Sequence, residues 1–384
     1  LVIALLGAGS AIRIVIGFTN YGWRFDIDSA YIVQRLLASR PLHVYSSFRY
    51  PYPGGFLPVI YLARLLSHAS GIAFSSVFKL PSILADAGIA ATVWWGLVSF
   101  GASRARRVAA VALVALGPSF ILISGYHGQI DAVAILPALV GVVIWSQGGE
   151  RRAWHAGLLV GLGAAIKTVP LFMVLAMLPT ARSRREVGIL VTCAIAVPLA
   201  SVLPFLVANG HDTFKALTSN KGLPGGGGLS LLVQPQLARF WQGIRWVSPS
   251  SLVVFLYREQ NLIVALAAAL AGAYAFVRRM DAVRAAALIW LAIYVANPDW
   301  AYQYFLWGLP FFLLAGFVLE VLVLQVALAL PAAEVYFHIG LPRLKDVYVP
   351  VMDLVWIAMA VAAVRVLAWT PRRSAGSSPL LPAR

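Results

Sequence analysis

The chain has 384 residues, of which 61% are hydrophobic and only 11% charged, far too little polar surface for a soluble globule. A formal net charge of +16 would suit nucleic acid. The arginines, however, fall in short clusters between apolar runs, as the orientation signal of a polytopic membrane protein does, and no basic soluble domain is there to carry nucleic acid. The single cysteine, Cys193, sits in an apolar segment, which excludes a disulfide framework and a cysteine metal site.

In chain order, residues 1–18 read as a retained first helix rather than a signal peptide, because no convincing cleavage site precedes the polar stretch that follows. Leu1 stands where a methionine would begin a complete chain, so some of the natural start is expected to be missing. The stretch 24–53, RFDIDSAYIVQRLLASRPLHVYSSFRYPYP, is the longest polar interruption in the first third. It carries Asp26 and Asp28 one residue apart. After them Ala30, Val33 and Leu37, with Ile32 and Leu36 beside them, have the spacing of a helix lying along a membrane surface. The aromatic YPYP tail suits the interfacial belt.

Further along, GASRARR, GGERR, ARSRR, RRMDAVR and TPRR are compact and basic and are read as cytoplasmic, whereas YHGQID and NPDWAYQ hold no basic residue and are read as outward-facing. Between these markers lie apolar segments at 77–100, 108–126, 132–145, 187–208, 261–277, 285–296, 304–318, 319–331 and 349–369, several of them short for a crossing of ~20 residues. Loop parity makes 55–72 a half-inserted or interfacial hairpin on the outer side. It makes 156–179 a re-entrant pair of half-helices broken at Lys167, Thr168 and Pro170. The expected architecture is one all-α integral membrane domain, 1–384, of about ten crossings. It has a first outer loop at 19–76, a long outer segment at 209–260 and C-terminal crossings over 261–384. Four consecutive glycines in LPGGGG make 209–260 a candidate mobile lid, or else a plain outer loop.

Several polar residues stand out, each with a second reading. One of Asp26 and Asp28 would serve equally as the N-cap of the surface helix. His127, Gln129 and Asp131 of YHGQID mark either a site or a polar turn capping the next helix. Lys167, between half-helices at membrane depth, needs a partner, and intramembrane ionisable groups default to functional hypotheses. Asp86 is its natural candidate, or that of Lys79, and reads best as half of a buried ion pair fixing helix register. Arg13 reads as snorkelling to the headgroups or as binding a lipid phosphate. An aromatic belt accounts for Tyr304 and Trp307, though not for Gln303.

Together, an arginine in the first helix, a DxD-type loop, RYPYP, a lysine and an aspartate on the next long helix, HGQID, AAIKTVP and QYFLW resemble, in this order, the GT-C glycosyltransferases. The pattern is similar above all to the catalytic subunit of GPI mannosyltransferase I and its prokaryotic relatives that use polyprenyl-phosphate sugars. The resemblance spans nearly the whole chain. It implies an inverting transfer of a hexose, mannose first, from a polyprenyl-phosphate monosaccharide to a glycolipid or lipid-linked acceptor, with a secreted protein left open, at the outer face of the plasma membrane. It assigns Asp28 as base and Asp26 as the other half of the motif. Beside the resemblance, Arg13, Lys167, Lys221 and Arg239 are the available cations for the donor phosphate, and Arg49, Tyr50, His127, Gln129, Asp131, Gln303 and Tyr304 the candidate substrate contacts. Ser29 replaces the usual aromatic residue after the second carboxylate, so acceptor contacts are expected to differ.

A sugar hydroxyl is a poor nucleophile that a carboxylate activates, typically by ~10²- to 10⁴-fold. The departing lipid phosphate needs fixed cations. No cofactor is required for this route and no metal is expected, two carboxylates being a thin site for a hard cation. The alternative class is a transporter or flippase of lipid-linked sugars, whose site would lie near the midplane.

Overall fold

The computed structural model describes residues 1–219, 222, 224–337 and 342–368. Among them the secondary structure is helical, with no strand, and the protein is an all-α polytopic membrane protein. Among the described residues seven helices are long and apolar enough to cross a bilayer: Val2–Thr19, Phe74–Ser99, Arg104–His127, Arg184–Ser219, Gln260–Val277, Val318–Phe337 and Asp346–Ala368. Shorter apolar helices, among them Asp131–Gln147, Ala282–Ala296 and Phe305–Ala315, lie with them.

How a helix meets its neighbours follows from where its small and polar residues fall. Val2–Thr19 buries only Gly9, Arg13 and Gly17, one residue per turn, and leaves Ile3, Ile12 and Val15 exposed, so a narrow stripe docks and the rest faces lipid. A Cβ on Gly9 would lie 2.2 Å from the Ala115 carbonyl oxygen. Gly157 and Gly161 do the same for Arg152–Ile166, bringing its backbone against Cys193 of Arg184–Ser219. Small residues four apart are the usual means of close helix approach in membranes.

Side-chain bonds bring the basic clusters to one end of the bundle. Arg106 donates to the Leu314 carbonyl, Gln147 to Ser99, Arg152 to Glu186, Tyr274 to the Leu367 carbonyl and Arg365 to Glu320. The segment 152–180 departs from this end and returns to it. Arg152–Ile166 runs for about 22 Å at ~1.5 Å per residue and breaks at Lys167, which is extended (φ −152°, ψ 135°). A short helix, Phe172–Met177, then leads back to Thr180, whose carbonyl accepts from Arg152 at 2.7 Å and whose hydroxyl accepts from Trp145 at 2.8 Å. At the break Lys167 and Pro170 are buried, while Thr168 and Val169 line a cavity, the two settings in which non-helical backbone is tolerated at membrane depth.

Three expectations change. Residues 55–72 form no hairpin but a single helix, Leu57–Ser70, with Tyr61, Leu62, Leu65 and Leu66 exposed along one side. Its one proline lies at the helix start, where a missing N–H is harmless. The helix placed at 319–331 continues through Pro331 to Phe337, membrane helices tolerating proline where neighbours satisfy the freed carbonyl. The segment 209–260 is not one long loop, because Arg184–Ser219 stays helical beyond a kink at Asn209 (φ −154°, ψ 71°). Its glycine run is a close-packed turn rather than a hinge. All four glycines are buried, Gly225 and Gly228 have positive φ, and a Cβ on Gly226 or Gly228 would lie 2.4 Å from the Trp300 carbonyl or 2.5 Å from that of Asn297.

Candidate active site

At the end of the bundle opposite the basic clusters lies a cavity of about 810 Å³, within the usual small-molecule range of ~300–1,000 Å³. The helix Arg24–Ser39 forms one wall, burying Ile27, Ala30 and Val33 against the bundle. Because it begins at Arg24, its two carboxylates are helical residues two apart, which point about 200° from one another. Asp26 lines the cavity with its side chain 27% exposed. Asp28 is exposed on the other side, where Tyr21 donates to it at 2.5 Å. Burial and the Asp28 carboxylate together push the Tyr21 phenol up to about 12. Asp28, the carboxylate expected to act as base, thus lies off the cavity, and of the DxD pair it is Asp26 that the cavity holds.

Asp26 meets His127 Nε2 at 2.5 Å. Burial alone would raise the Asp26 pKa, but the hydrogen bond and charge of His127, reinforced by Gln129 and Lys167, outweigh it and hold the carboxyl below its ordinary value. An ionised carboxylate only accepts, so Nε2 carries the hydrogen and Nδ1 faces the Tyr336 hydroxyl at 2.7 Å. The histidine ends a π-helical segment, Ile121–His127, a rare form that recurs at functional sites. Gly128 follows at φ +83°, and a Cβ there would lie 2.8 Å from Ile27. Glycine at this position thus lets the surface helix seat close enough for Asp26 to reach the imidazole.

Across the cavity, Lys167 Nζ donates to Asp131 at 2.7 Å, and Trp307 Nε1 donates to the same oxygen. The ammonium lies 5.1 Å from the Tyr52 ring centre and 5.3 Å from that of Trp307, a cation–π setting that suits a buried charge. Asp131 is fully buried and holds Lys167 rather than capping its own helix, which has no side-chain cap. Tyr304 stacks on Trp307 at 4.2 Å. Arg49, Tyr50, Gln129, Gln303 and Tyr304 all line the cavity, with Arg49 over the Phe25 ring at 4.5 Å.

Two of the four cations read as phosphate ligands lie elsewhere, and a third is outside the described residues. Arg13 is 2% exposed; its Nε donates to Asp86 at 2.7 Å and its other nitrogens to the Gly9, Val114 and Ala115 carbonyls. Arg13 and Asp86 thus form the register-fixing ion pair, with the lysines excluded from it. Lys79 instead donates to the Gly17 and Asn20 carbonyls. Arg239 does not line the cavity. Lys221 lies outside the described residues. Among the described residues no group of three or more His, Cys, Asp or Glu side chains is assembled.

Trp307, marked in QYFLW but read as aromatic belt, completes the Lys167–Asp131 cluster. The structure also adds residues that the motifs did not mark: Tyr336, beyond the segment read at 319–331, completes the Asp26–His127 cluster. A further polar group joins Gln260, Asn297 and Asp299. Of these, NPD reads in the sequence only as an outward turn with no basic residue, although a carboxylate among aromatic residues at a helix end is itself a signal. Burial pushes the Asp299 carboxyl up to about 6, against hydrogen bonds from Ser230 and Gly225 that lower it.

An all-helical membrane bundle with an acid and a fixed lysine at one cavity is the arrangement expected of a membrane glycosyltransferase of GT-C type, and a family match gives that class. Residues 50–298 match the model of glycosyltransferase family 87, well over half of the chain, and the protein belongs to that family. The transporter reading falls with this match, while the narrower likeness to GPI mannosyltransferase I does not follow from it. Curated proteins give no match. The matched region includes His127, Gln129, Asp131, Lys167 and Asn297; Asp26 precedes it and Tyr336 follows it.

Proposed function

We propose that the protein transfers a hexose, mannose first, with inversion from a polyprenyl-phosphate monosaccharide to a hydroxyl of a glycolipid or lipid-linked glycan. Transfer takes place at the extracytoplasmic face of the cytoplasmic membrane. The observation that carries this reading is Asp26, held ionised by His127 on a membrane-surface helix at the mouth of the cavity. There it takes the acceptor hydroxyl proton as that oxygen bonds to the anomeric carbon, while the bond from that carbon to the phosphate oxygen breaks on the opposite side. The lipid monophosphate leaves with added negative charge. Lys167, positioned by Asp131 and with N–H donors beyond the one that Asp131 takes, meets that charge where water is scarce and a fixed cation counts most. The side of the membrane rests on the arginine clusters, which lie at the far end of the bundle from the cavity.

The deciding experiment uses purified protein in lipid nanodiscs with radiolabelled polyprenyl-phosphate mannose and a lipid extract. Wild type yields a labelled product. Asp26→Asn lowers turnover by ~10²-fold or more, as loss of a general base does, and Asp28→Asn stays within about threefold of wild type, an exposed carboxylate having no contact with the reacting groups. Equal loss in the two variants, or loss only in Asp28→Asn, rejects Asp26 as the base.

A further inference from the structure

Beyond the acid and the lysine, the cavity has a second polar end. Gln260, Asn297, Gly222 and Trp241 line it. Gln260 is saturated: its Oε1 accepts from the Gly222 N–H at 3.2 Å and its Nε2 donates to Asn297 Oδ1 at 2.9 Å and to the Asp299 carbonyl at 3.3 Å. Asn297 Oδ1 also accepts from the Asp299 N–H at 3.2 Å. The oxygen of this amide is therefore doubly bound, its orientation is fixed, and its Nδ2 is the group left to face a ligand. Asn297 and Gln260 are 3% and 5% exposed, so this is a built arrangement rather than surface polarity.

Beside it the Trp241 indole is pinned by a bond from Nε1 to the Pro224 carbonyl at 3.1 Å, and a Cβ on Gly226 would lie 3.2 Å from its ring. The same close-packed turn meets both groups, Gly226 against the indole and Gly228 against the Asn297 carbonyl, so a flat apolar surface and an oriented amide line one stretch of the cavity. A donor amide beside an aromatic plane is the chemistry that takes a neutral polyhydroxylated ring, with hydroxyls meeting the amide and the C–H face covering the indole.

We propose that this end is the acceptor's sugar subsite. Asn297 Nδ2 donates to a ring hydroxyl and Trp241 supplies the face on which the ring packs. The assignment rests on the transferase reading above: the donor hexose is bonded to the phosphate that Lys167 meets, which leaves the amide end to the acceptor. Tyr304 also lines the cavity, its ring centre 5.9 Å from Lys167 Nζ.

The test is binding of octyl α-mannoside to the full chain in nanodiscs without donor, with octyl phosphate as the headgroup control. It is followed by the mannoside and donor KM values with polyprenyl-phosphate mannose. Asn297→Asp, which replaces the donor by a carboxylate, and Trp241→Ala each weaken mannoside binding and raise its KM about tenfold, the effect of one well-made contact, with the donor KM within twofold. Trp241→Phe, which keeps an aromatic face, recovers most of the loss, and Arg239→Ala, outside the cavity, binds as wild type does. Unchanged mannoside binding in both variants, a donor KM that rises instead, or equally tight octyl phosphate binding overturns the subsite. Absence of transfer from the polyprenyl donor with variant-sensitive mannoside binding intact rejects the donor assignment and leaves the subsite standing.

Discussion

The chemistry turns on which way single side chains point. Asp26 and Asp28 were legible as a motif but not as a geometry, because a DxD read as loop leaves both carboxylates free to face one substrate. Once the helix is taken back from Ala30 to Arg24, the 100° step of the backbone separates them. His127 was legible as a site candidate, whereas its partner Tyr336, some two hundred residues away in sequence, is set only by packing. This pairing makes a pH prediction. Burial favours the protonated Asp26 and His127 favours the ionised one, with a net pKa below the ordinary carboxylate value. The acid limb of kcat/KM in wild type therefore lies below that value. In His127→Ala the hydrogen bond and charge are gone, burial remains, and the limb moves to higher pH. The same sign governs stability: the contribution of Asp26 is complete above the unfolded carboxylate pKa and is lost as pH falls through the lower, folded value. A pH profile of kcat/KM for both proteins checks this, and an unmoved or lowered limb in the variant would show that His127 does not set the charge of Asp26.

Elements were easier to find than their partners. Crossings were legible because a bilayer demands apolar runs of fixed length and leaves arginines at the ends. The re-entrant break was legible because basic clusters flank 156–179 at both ends, so loop parity forbids a single crossing, and Lys167, Thr168 and Pro170 offer the place to turn back. Which ion pairs with which was not, since Arg13, Lys79, Asp86, Asp131 and Lys167 all look alike in a list of membrane charges. The structure joins Arg13 to Asp86 and Lys167 to Asp131, and the difference is functional, because the first pair ties the helix Val2–Thr19 to Phe74–Ser99 away from the cavity. Removing one partner of a buried pair costs about 3–5 kcal/mol. Arg13→Ala also frees three backbone carbonyls. Thermal unfolding in detergent is expected to show Arg13→Ala strongly destabilised and Asp86→Asn less so, because Asn still accepts one hydrogen bond. Protein that remains folded keeps its donor KM. A raised donor KM with unchanged unfolding temperature would return Arg13 to the phosphate.

At the scale of the molecule, the bundle has two chemically different ends, and the proposed reaction requires a particular one to face out. The end holding Arg106, Arg152, Arg182 and Arg365 carries the positive charge that retains loops on the cytoplasmic side, and the cavity end holds the acid, the lysine and the amide cluster. The short return segment is what makes this consistent: because 152–180 leaves from and comes back to the basic end, ARSRR and GGERR stay together although only one apolar stretch separates them. Had that stretch crossed, every later helix would be inverted and the NPD turn would sit across the membrane from Asp26, contrary to the single cavity they share. Cys193, the only cysteine, is 5% exposed and can be replaced by alanine to give a background for labelling. In that background Ser183→Cys is expected to react with a membrane-impermeant maleimide only in inverted vesicles, and Gln236→Cys only in right-side-out ones. Labelling of both from one side would break the parity of the bundle, and the reverse pattern would place the cavity on the cytoplasmic side and overturn the proposed orientation.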